Sequence, residues 1–378
     1  MFLQGAVVCS IGPYFSTLAV HDFGFGNGGF AVLLTISSVM SVAAAVLAGI
    51  RADQTTNRRG IVLWSVVCLV LAMALMTLIP GPAVFVVAMA LLLPLSSVTF
   101  GQVFALTRLV CTAYPPESRD GIMVVIRAVF AAPFVIVLPL WSVVFARGAP
   151  VAMVFPVGLA MTLAMLAAVA WYWPKDGQAA WQDSRSGLNL RAALAEIAAS
   201  HRIGRVLALG AVSAASTVYI ALISLIMIPS IGRGPADVAL YVGLVAGLEV
   251  PFMLLVPRMS AGRSRTTMIL AGTGLYALHV MMLPVLAGSS LVWALVLPAA
   301  IGGAVTLTLP IAYMQDLLAD RPGAGASLMA VQRLAGDAIA AGCFVVGSTL
   351  WGYGLVAALG GAVSLAGAFA LWRADRSG

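Results

Sequence analysis

The chain contains 378 residues, of which 62% are apolar and only 9% are charged. Soluble domains carry about 25% charged residues, so this composition and the mean hydropathy of +1.07 exclude a soluble globular protein. They indicate an integral membrane protein whose surroundings are the lipid bilayer. The net charge of +7 does not indicate a nucleic-acid partner, because the basic residues lie in short segments between apolar runs, where they set membrane topology.

Twelve apolar runs are long enough to cross the hydrocarbon core of a bilayer as α-helices, which takes roughly 17 to 25 residues. Glycine, proline or charged residues separate these runs. The predicted spans cover residues 2–20, 29–50, 61–79, 83–106, 121–145, 150–173, 203–229, 236–257, 267–287, 289–310, 324–347 and 351–372. We therefore predict an all-α integral membrane protein with twelve transmembrane helices.

The positions of the Lys and Arg residues predict the orientation of these helices. When successive loops are assigned to alternate sides, sixteen of the twenty basic residues fall on one side and two on the other. Because basic residues are enriched in cytoplasmic loops, both termini are predicted to be cytoplasmic. The remaining two, Arg127 and Arg333, fall inside spans five and eleven. Asp337 follows Arg333 by four residues, which predicts an intrahelical ion pair.

The longest polar segment, residues 174–202, separates six spans from six spans. Its second part places Leu190, Leu194 and Ile197 on one side of a helix, which predicts a cytoplasmic amphipathic linker. Arg127 and Arg333 also occupy equivalent positions in a weak internal repeat. We predict an N-terminal six-helix bundle at residues 1–173, a linker at 174–202 and a C-terminal six-helix bundle at 203–378.

Glu249 is an acid inside the eighth span, within the apolar stretch GLEVPFMLLVP. An ionised side chain in contact with lipid is costly, so an intramembrane acid faces a bundle interior or a water-filled cavity and is a functional candidate. The alternative is that Glu249 pairs with a neighbouring polar group and only holds helices together.

The loop between spans two and three reads GIRADQTTNRRG and contains Gly49, Asp53, Arg58 and Arg59. Gly49 can permit close helix approach, Asp53 can pair with a base or cap a helix, and the two arginines hold the loop on the cytoplasmic side. This pattern resembles the signature loop of the major facilitator superfamily. The glycine that usually precedes the basic pair is absent, and the corresponding second-half loop, PRMSAGRSRTT, has bases but no acid.

Four further segments are similar to those of the bacterial sugar efflux transporter (SET) family within that superfamily: FALTR, MVVIRA, VGLVAGLEVP and YMQDLLADRPGAGASL. The resemblance extends over most of the chain. It implies proton-coupled export of sugars or small glycosides by alternating access across the bacterial inner membrane, with the proton gradient as energy source and no cofactor. Family members usually have additional residues before the first span, so we expect a truncated first helix.

Sugar recognition requires polar side chains that bond hydroxyl groups and aromatic faces that stack on the ring. The candidates inside the spans are Gln102, Arg127, Tyr219, Gln332, Asn27 and Trp141. Proton coupling requires a group that changes its protonation during the transport cycle, and we expect Glu249 to exchange protons. Spans five and eight often line the interface between the halves in this architecture, so Arg127 is expected to face Glu249. Arg127 is then expected to position substrate or to modulate that acid.

Other functional classes have little support in the sequence. The four cysteines show no metal or disulfide spacing and are interpreted as small hydrophobic residues. No metalloprotease motif, Ser/His pair or aspartate cluster indicates an enzyme, and no metal site is predicted. The alternative is a major facilitator exporter of drugs or other amphipathic molecules. In either case we expect a monomer.

Overall fold

The computed structural model describes residues 1–55, 58–111, 115–174, 203–260, 262–317 and 325–376. Within these ranges, twelve helices are long and apolar enough to cross a membrane, and the rest of the described backbone contains no strand. The predicted all-helical fold with twelve spans is confirmed. The amphipathic linker predicted within 174–202 lies, after residue 174, outside the described residues. The domain boundary that depended on it stays a prediction.

Each predicted span corresponds to one helix, and six helices precede the linker. They are α1 (Phe2–Ile11, continued by Gly12–Tyr14, Phe15–Thr17 and Leu18–Asp22), α2 (Gly26–Thr55), α3 (Arg58–Leu78), α4 (Pro82–Phe85, Val86–Leu92, Leu93–Leu95 and Val98–Cys111), α5 (Pro116–Ala146) and α6 (Val151–Met153 and Val154–Tyr172). Six more follow it. They are α7 (Ile203–Met227), α8 (Pro235–Met259), α9 (Arg265–Leu286), α10 (Ser290–Leu295 and Val296–Leu317), α11 (Gly325–Leu350) and α12 (Tyr353–Arg376).

Helix α4 is irregular in the middle of its span, and a neighbouring helix compensates for the break. The turn Val86–Leu92 is π-helical, Pro94 follows it, and the α-helix resumes only at Val98. Proline removes a backbone hydrogen bond, and the polar groups so freed need partners inside a membrane. Ser65 of α3 supplies one, because its hydroxyl donates to the Leu95 carbonyl over 3.4 Å. The Thr99 N–H, which would reach that carbonyl in a regular α-helix, bonds to the Ser96 carbonyl instead.

Packing divides the chain into two compact units. The first comprises Met1–Gly12, Ile36–Val137 and Pro150–Ala192, and the second comprises Pro13–Thr35, Leu138–Ala149 and Ala193–Gly378. In the first unit, α6 packs against α3 and α1. In the second, α7 packs against α11 and α12, α9 packs against α10 and α12, and α8 packs against α10. The tightest packing in the second unit occurs where small residues let helices approach.

Gly210 and Gly367 show how close these approaches are. A Cβ atom at Gly367 of α12 would lie 2.6 Å from the Cβ of Ala211 on α7, and one at Gly210 of α7 would lie 2.9 Å from the Gln332 carbonyl oxygen on α11. Both distances are too short for real atoms. Glycine at these positions is therefore a packing requirement, as expected where membrane helices associate through small residues.

Two local predictions are confirmed within the described residues. Arg333 and Asp337 form an ion pair on α11, with Nε and Oδ2 separated by 3.9 Å. Asp337 also accepts a hydrogen bond from the Thr217 hydroxyl on α7 over 2.9 Å, so the acid joins two helices. The four cysteines are buried and free, as their interpretation as small hydrophobic residues predicts.

Candidate functional site

Glu249 projects from α8 toward a glycine of α10. A Cβ atom at Gly303 would overlap Oε1 of Glu249 and would lie 3.0 Å from its carboxyl carbon. The side chain is partly buried, and no hydrogen bond or ion pair joins it to a residue that the structure describes. The carboxyl group therefore occupies space that only glycine leaves open, and it can take up or release a proton without breaking an ion pair there.

A buried cluster of three tyrosines and one histidine lies in the same unit. Tyr219 comes from α7, Tyr241 from α8, and Tyr276 and His279 from α9; at most 6% of any of these side chains is exposed. The Tyr219 ring lies 4.9 Å from the His279 imidazole and 6.2 Å from the Tyr276 ring. The Tyr241 ring stacks on His279 at an interplanar angle of 17°. We call these four residues the tyrosine–histidine cluster.

One buried hydroxyl group of the cluster has no hydrogen-bond partner among the described residues. Tyr241 Oη and His279 Nδ1 are 3.1 Å apart, and the His279 tautomer decides which of them donates. The second imidazole nitrogen, Nε2, has no hydrogen-bond partner among the described residues. The Tyr219 hydroxyl is buried and forms no hydrogen bond with the described residues.

A buried hydroxyl group without a partner is unfavourable by about 1–3 kcal/mol, so its position calls for a reason. Tyr219 and Tyr276 both interact electrostatically with Glu249. The structure thus brings together the predicted site residues Glu249 and Tyr219.

Arg233 lies beside the tyrosine–histidine cluster, at the start of α8. Its guanidinium lies 5.3 Å from the centre of the Trp293 ring, which in turn packs 5.8 Å from the Tyr241 ring. It also pairs with Asp237 over 3.3 Å and donates to the Ser289 carbonyl over 2.8 Å. These contacts tie the start of α8 to the end of α9, so Arg233 is a structural anchor for the cluster.

In the first unit, the two arginines of the signature loop make separate contacts. Arg58 donates from Nη1 to Oε1 of Gln102 over 3.3 Å, and Gln102 is buried. Arg59 donates from Nη2 to the Ala170 carbonyl over 2.9 Å, in the last turn of α6, where a cation is favoured. The structure therefore joins the predicted residues Arg58 and Gln102, and Arg59 holds the start of α3 to the end of α6.

The other predicted site residues have less structural description. Among the described residues, no atom lies within 4 Å of a Cβ atom built at Gly49. The close helix approach expected there is therefore not seen in the described part of the chain. Asp53 and Arg127 lie in α2 and α5, but their side chains are outside the described parts of the chain. Gln332 lies on α11 with its carbonyl oxygen against Gly210. The functional roles of these residues stay predictions.

Parts of α1 and α2 that belong to the second unit are held to later helices by polar contacts. Tyr14 donates to the Pro235 carbonyl over 2.6 Å, and the hydroxyl oxygens of Ser16 and Ser224 are 3.1 Å apart. The two remaining sugar-binding candidates are both engaged. Tyr353 donates to Asn27 Oδ1 over 2.8 Å, and the Trp141 ring stacks 5.0 Å from the Phe145 ring.

Sequence reasoning did not select Tyr241, Tyr276, His279 or Gly303. One available signal was the spacing of Tyr276 and His279, which are three residues apart and so share a face of α9. The adjacent glycines at 302 and 303 were a second signal. Neither could show that Gly303 faces Glu249, because that contact depends on how α8 and α10 pack.

Comparison with known proteins agrees with this architecture. The family model described as "Major Facilitator Superfamily" matches residues 1–341. A Deinococcus radiodurans protein assigned to sugar efflux is 26% identical over 386 residues, covering 100% of this chain and 96% of the relative. Among solved structures, a POT family transporter bound to a thioalcohol-conjugated peptide has a TM-score of 0.78 at 12% identity, covering 99% of this chain and 93% of that one. The nucleoside transporter NupG has a TM-score of 0.73 at 14% identity, covering 98% of this chain and 96% of that one.

Removal of the Tyr241 hydroxyl and removal of the Tyr219 hydroxyl are expected to have different effects on the stability of the fold. Tyr241→Phe takes the hydrogen bond from His279 Nδ1 and should lower the free energy of unfolding by about 1–3 kcal/mol. Tyr219→Phe removes a hydroxyl group that has no partner and should leave stability unchanged or raise it. The melting temperature can be followed in detergent with a thiol-reactive dye, since the four cysteines are buried. Equal destabilisation by both variants would contradict the assigned hydrogen bonding.

Proposed function

Because the chain belongs to the Major Facilitator Superfamily, we propose that it is a secondary transporter that exports sugars or small glycosides across the bacterial inner membrane. The proton gradient drives export, and neither a catalytic step nor a cofactor is required. The observation that carries the proposal is Glu249, an acid within a membrane span that has no hydrogen bond or ion pair to the described residues. It interacts electrostatically with Tyr219, whose buried hydroxyl also has no partner among the described residues. The similarity to the Deinococcus radiodurans protein supports sugars as cargo.

The proposed sugar site uses the chemistry that Glu249 and Tyr219 offer. A carboxylate accepts hydrogen bonds from sugar hydroxyl groups, and a tyrosine hydroxyl can donate to a sugar oxygen. Transport sites combine a few such polar groups with apolar and aromatic walls. Bound sugar would supply the partner that Tyr219 lacks. Gln102, Arg127 and Gln332 stay predicted sugar-binding candidates of their own units.

Glu249 also suits the proposed coupling to protons. Among the described residues, Tyr219 on α7 and Tyr276 on α9 interact electrostatically with Glu249, and α10 presents Gly303 to it. None of these groups is a cation that would hold the carboxyl group permanently ionised. We expect the protonated acid to suit the empty site and the ionised acid to bind sugar hydroxyl groups. Protons and sugar then occupy the site in alternate steps, which is antiport.

Alternating access requires that contacts closing one side of the site open during each cycle. The Ser16–Ser224 and Tyr14–Pro235 contacts link α1 to α7 and to the start of α8. Under the predicted topology, with both termini cytoplasmic, these contacts lie toward the outer face. We expect them to separate when cargo leaves on that side.

The runner-up is an exporter of drugs or other amphipathic molecules with the same fold. The tyrosine–histidine cluster favours it in one respect, because its aromatic rings resemble the walls of a site for apolar ligands. The two proposals differ in the cargo: sugars or glycosides in the first, and drugs or other amphipathic molecules in the second.

A cargo panel distinguishes the two proposals. The full chain is reconstituted into proteoliposomes, a pH gradient is imposed, and counterflow of radiolabelled glycosides is measured beside that of cationic dyes. We expect at least one sugar or glycoside to exchange and to stimulate proton movement. Dye transport with no sugar signal would overturn the sugar assignment in favour of the runner-up.

Cross-linking tests the expected opening of α1 from α7. The double variant S16C and S224C places two thiols where hydroxyl oxygens are now 3.1 Å apart, which is close enough for a disulfide after small adjustment. Oxidation should lower the transport rate roughly tenfold or more, and a reductant should restore the rate. Each single variant is the control, and it should stay active under oxidation. Full activity of the oxidised double variant would mean that this contact does not open during transport.

A further inference from the structure

Two adjacent glycines of α10 place Tyr276 and Glu249 beside the same helical turn. A Cβ atom at Gly302 would lie 2.6 Å from the backbone nitrogen of Tyr276 and 2.9 Å from its Cβ atom. A Cβ atom at Gly303, the next residue, would overlap a carboxyl oxygen of Glu249. Since successive residues of an α-helix point about 100° apart, this turn of α10 faces α9 at Tyr276 and α8 at Glu249.

The electrostatic interactions within the unit also join Tyr276 to the acid. Tyr276 interacts more strongly with Glu249 than with Tyr241. The order is reversed for Tyr219, whose interactions with Tyr241 and Tyr276 exceed the one with Glu249. Tyr276 is therefore the member of the tyrosine–histidine cluster whose main electrostatic partner is the acid.

The hydroxyl group of Tyr276 is available to a ligand. No hydrogen bond joins it to a residue that the structure describes. The Tyr219 hydroxyl also has no partner there, but its oxygen is fully enclosed. The Tyr276 hydroxyl oxygen is not enclosed, and 6% of Tyr276 is exposed against 3% of Tyr219. A ligand beside Glu249, which is itself only partly buried, can therefore reach Tyr276 first.

Packing holds the Tyr276 ring in place. The ring lies edge-on to the His279 imidazole, with centroids 5.5 Å apart, and edge-on to the Tyr219 ring at 6.2 Å. A polar group on such an ordered side chain loses little entropy when it binds a ligand. Tyr276 and Glu249 also lie near the middle of α9 and α8, and the middle of the membrane is the depth at which transporters place their substrate sites.

The two side chains offer complementary chemistry to a sugar. An ionised carboxylate only accepts hydrogen bonds, whereas a tyrosine hydroxyl both donates and accepts them, as a sugar hydroxyl does. We propose that Tyr276 is a specificity-determining residue of the sugar site, where it bonds one hydroxyl group of a hexose ring while Glu249 bonds another. This inference rests on the proposed function. A site that bonds a hydroxyl group in this way discriminates against an analogue that lacks it.

Monodeoxy sugars test this role, because they remove one hydroxyl group at a time from the cargo. The full chain is reconstituted in proteoliposomes, and counterflow is measured for the methyl glycosides of glucose, galactose and mannose and for their monodeoxy analogues. Tyr276→Phe keeps the ring and removes the hydroxyl. We expect it to raise the KM of the parent glycoside about 3- to 10-fold, the effect of one hydrogen bond. One monodeoxy analogue should show a similar penalty in the wild-type chain and no penalty in Tyr276→Phe.

Tyr313→Phe is the matched control, because it removes a hydroxyl group that donates to Asp375 over 2.8 Å. It should leave every monodeoxy penalty unchanged. A purely structural role of Tyr276 would change the KM of all analogues alike and preserve every penalty. That result, or an unchanged KM in Tyr276→Phe, would overturn the inference and leave the sugar exporter standing. Exchange of none of the three glycosides by the wild-type chain would overturn the sugar assignment and the inference together.

Discussion

The contact between Glu249 and Gly303 is the constraint on which the candidate site depends. An acid inside a membrane span is tolerated only where another helix leaves room for it away from lipid. Gly303 of α10 leaves that room because it has no side chain. Helices α8 and α10 can therefore pack closely while the carboxyl group stays between them without a hydrogen bond or ion pair to the described residues. A larger residue at position 303 would push the acid away or the helices apart.

The tyrosine–histidine cluster and Arg233 hold together the helices of the unit that contains this acid. Tyr241 and His279 satisfy each other, and Arg233 holds the start of α8 to the end of α9. Rigid neighbours of this kind leave Tyr219 as the hydroxyl group whose partner is absent. The cluster is thus bonded at the Tyr241–His279 contact, whereas the Tyr219 hydroxyl and His279 Nε2 have no partner among the described residues. Such a distribution is typical of a ligand site on a stable scaffold rather than of helix packing alone.

Much of the fold could be predicted from the sequence because a bilayer imposes simple rules. Span length, apolarity and helical spacing predicted all twelve helices and the Arg333–Asp337 ion pair. The site was predictable only in part. An acid such as Glu249 stands out in an apolar run. The contact of Gly303 with Glu249 and the Tyr241–His279 hydrogen bond depend on which faces of three helices meet. The close helix approach expected at Gly49 is not seen among the described residues. A glycine in the sequence does not show whether another helix packs against it.

Glu249 is proposed to carry the proton that drives export. This role is tested most directly by comparing two modes of transport in proteoliposomes for Glu249→Gln, with Asp337→Asn as the matched control at an acid that is already bonded to Thr217 and Arg333. Counterflow needs no net proton movement, whereas accumulation driven by a pH gradient does. We predict that Glu249→Gln retains counterflow but loses pH-driven accumulation, while Asp337→Asn retains both. Full pH-driven accumulation by Glu249→Gln would contradict the account.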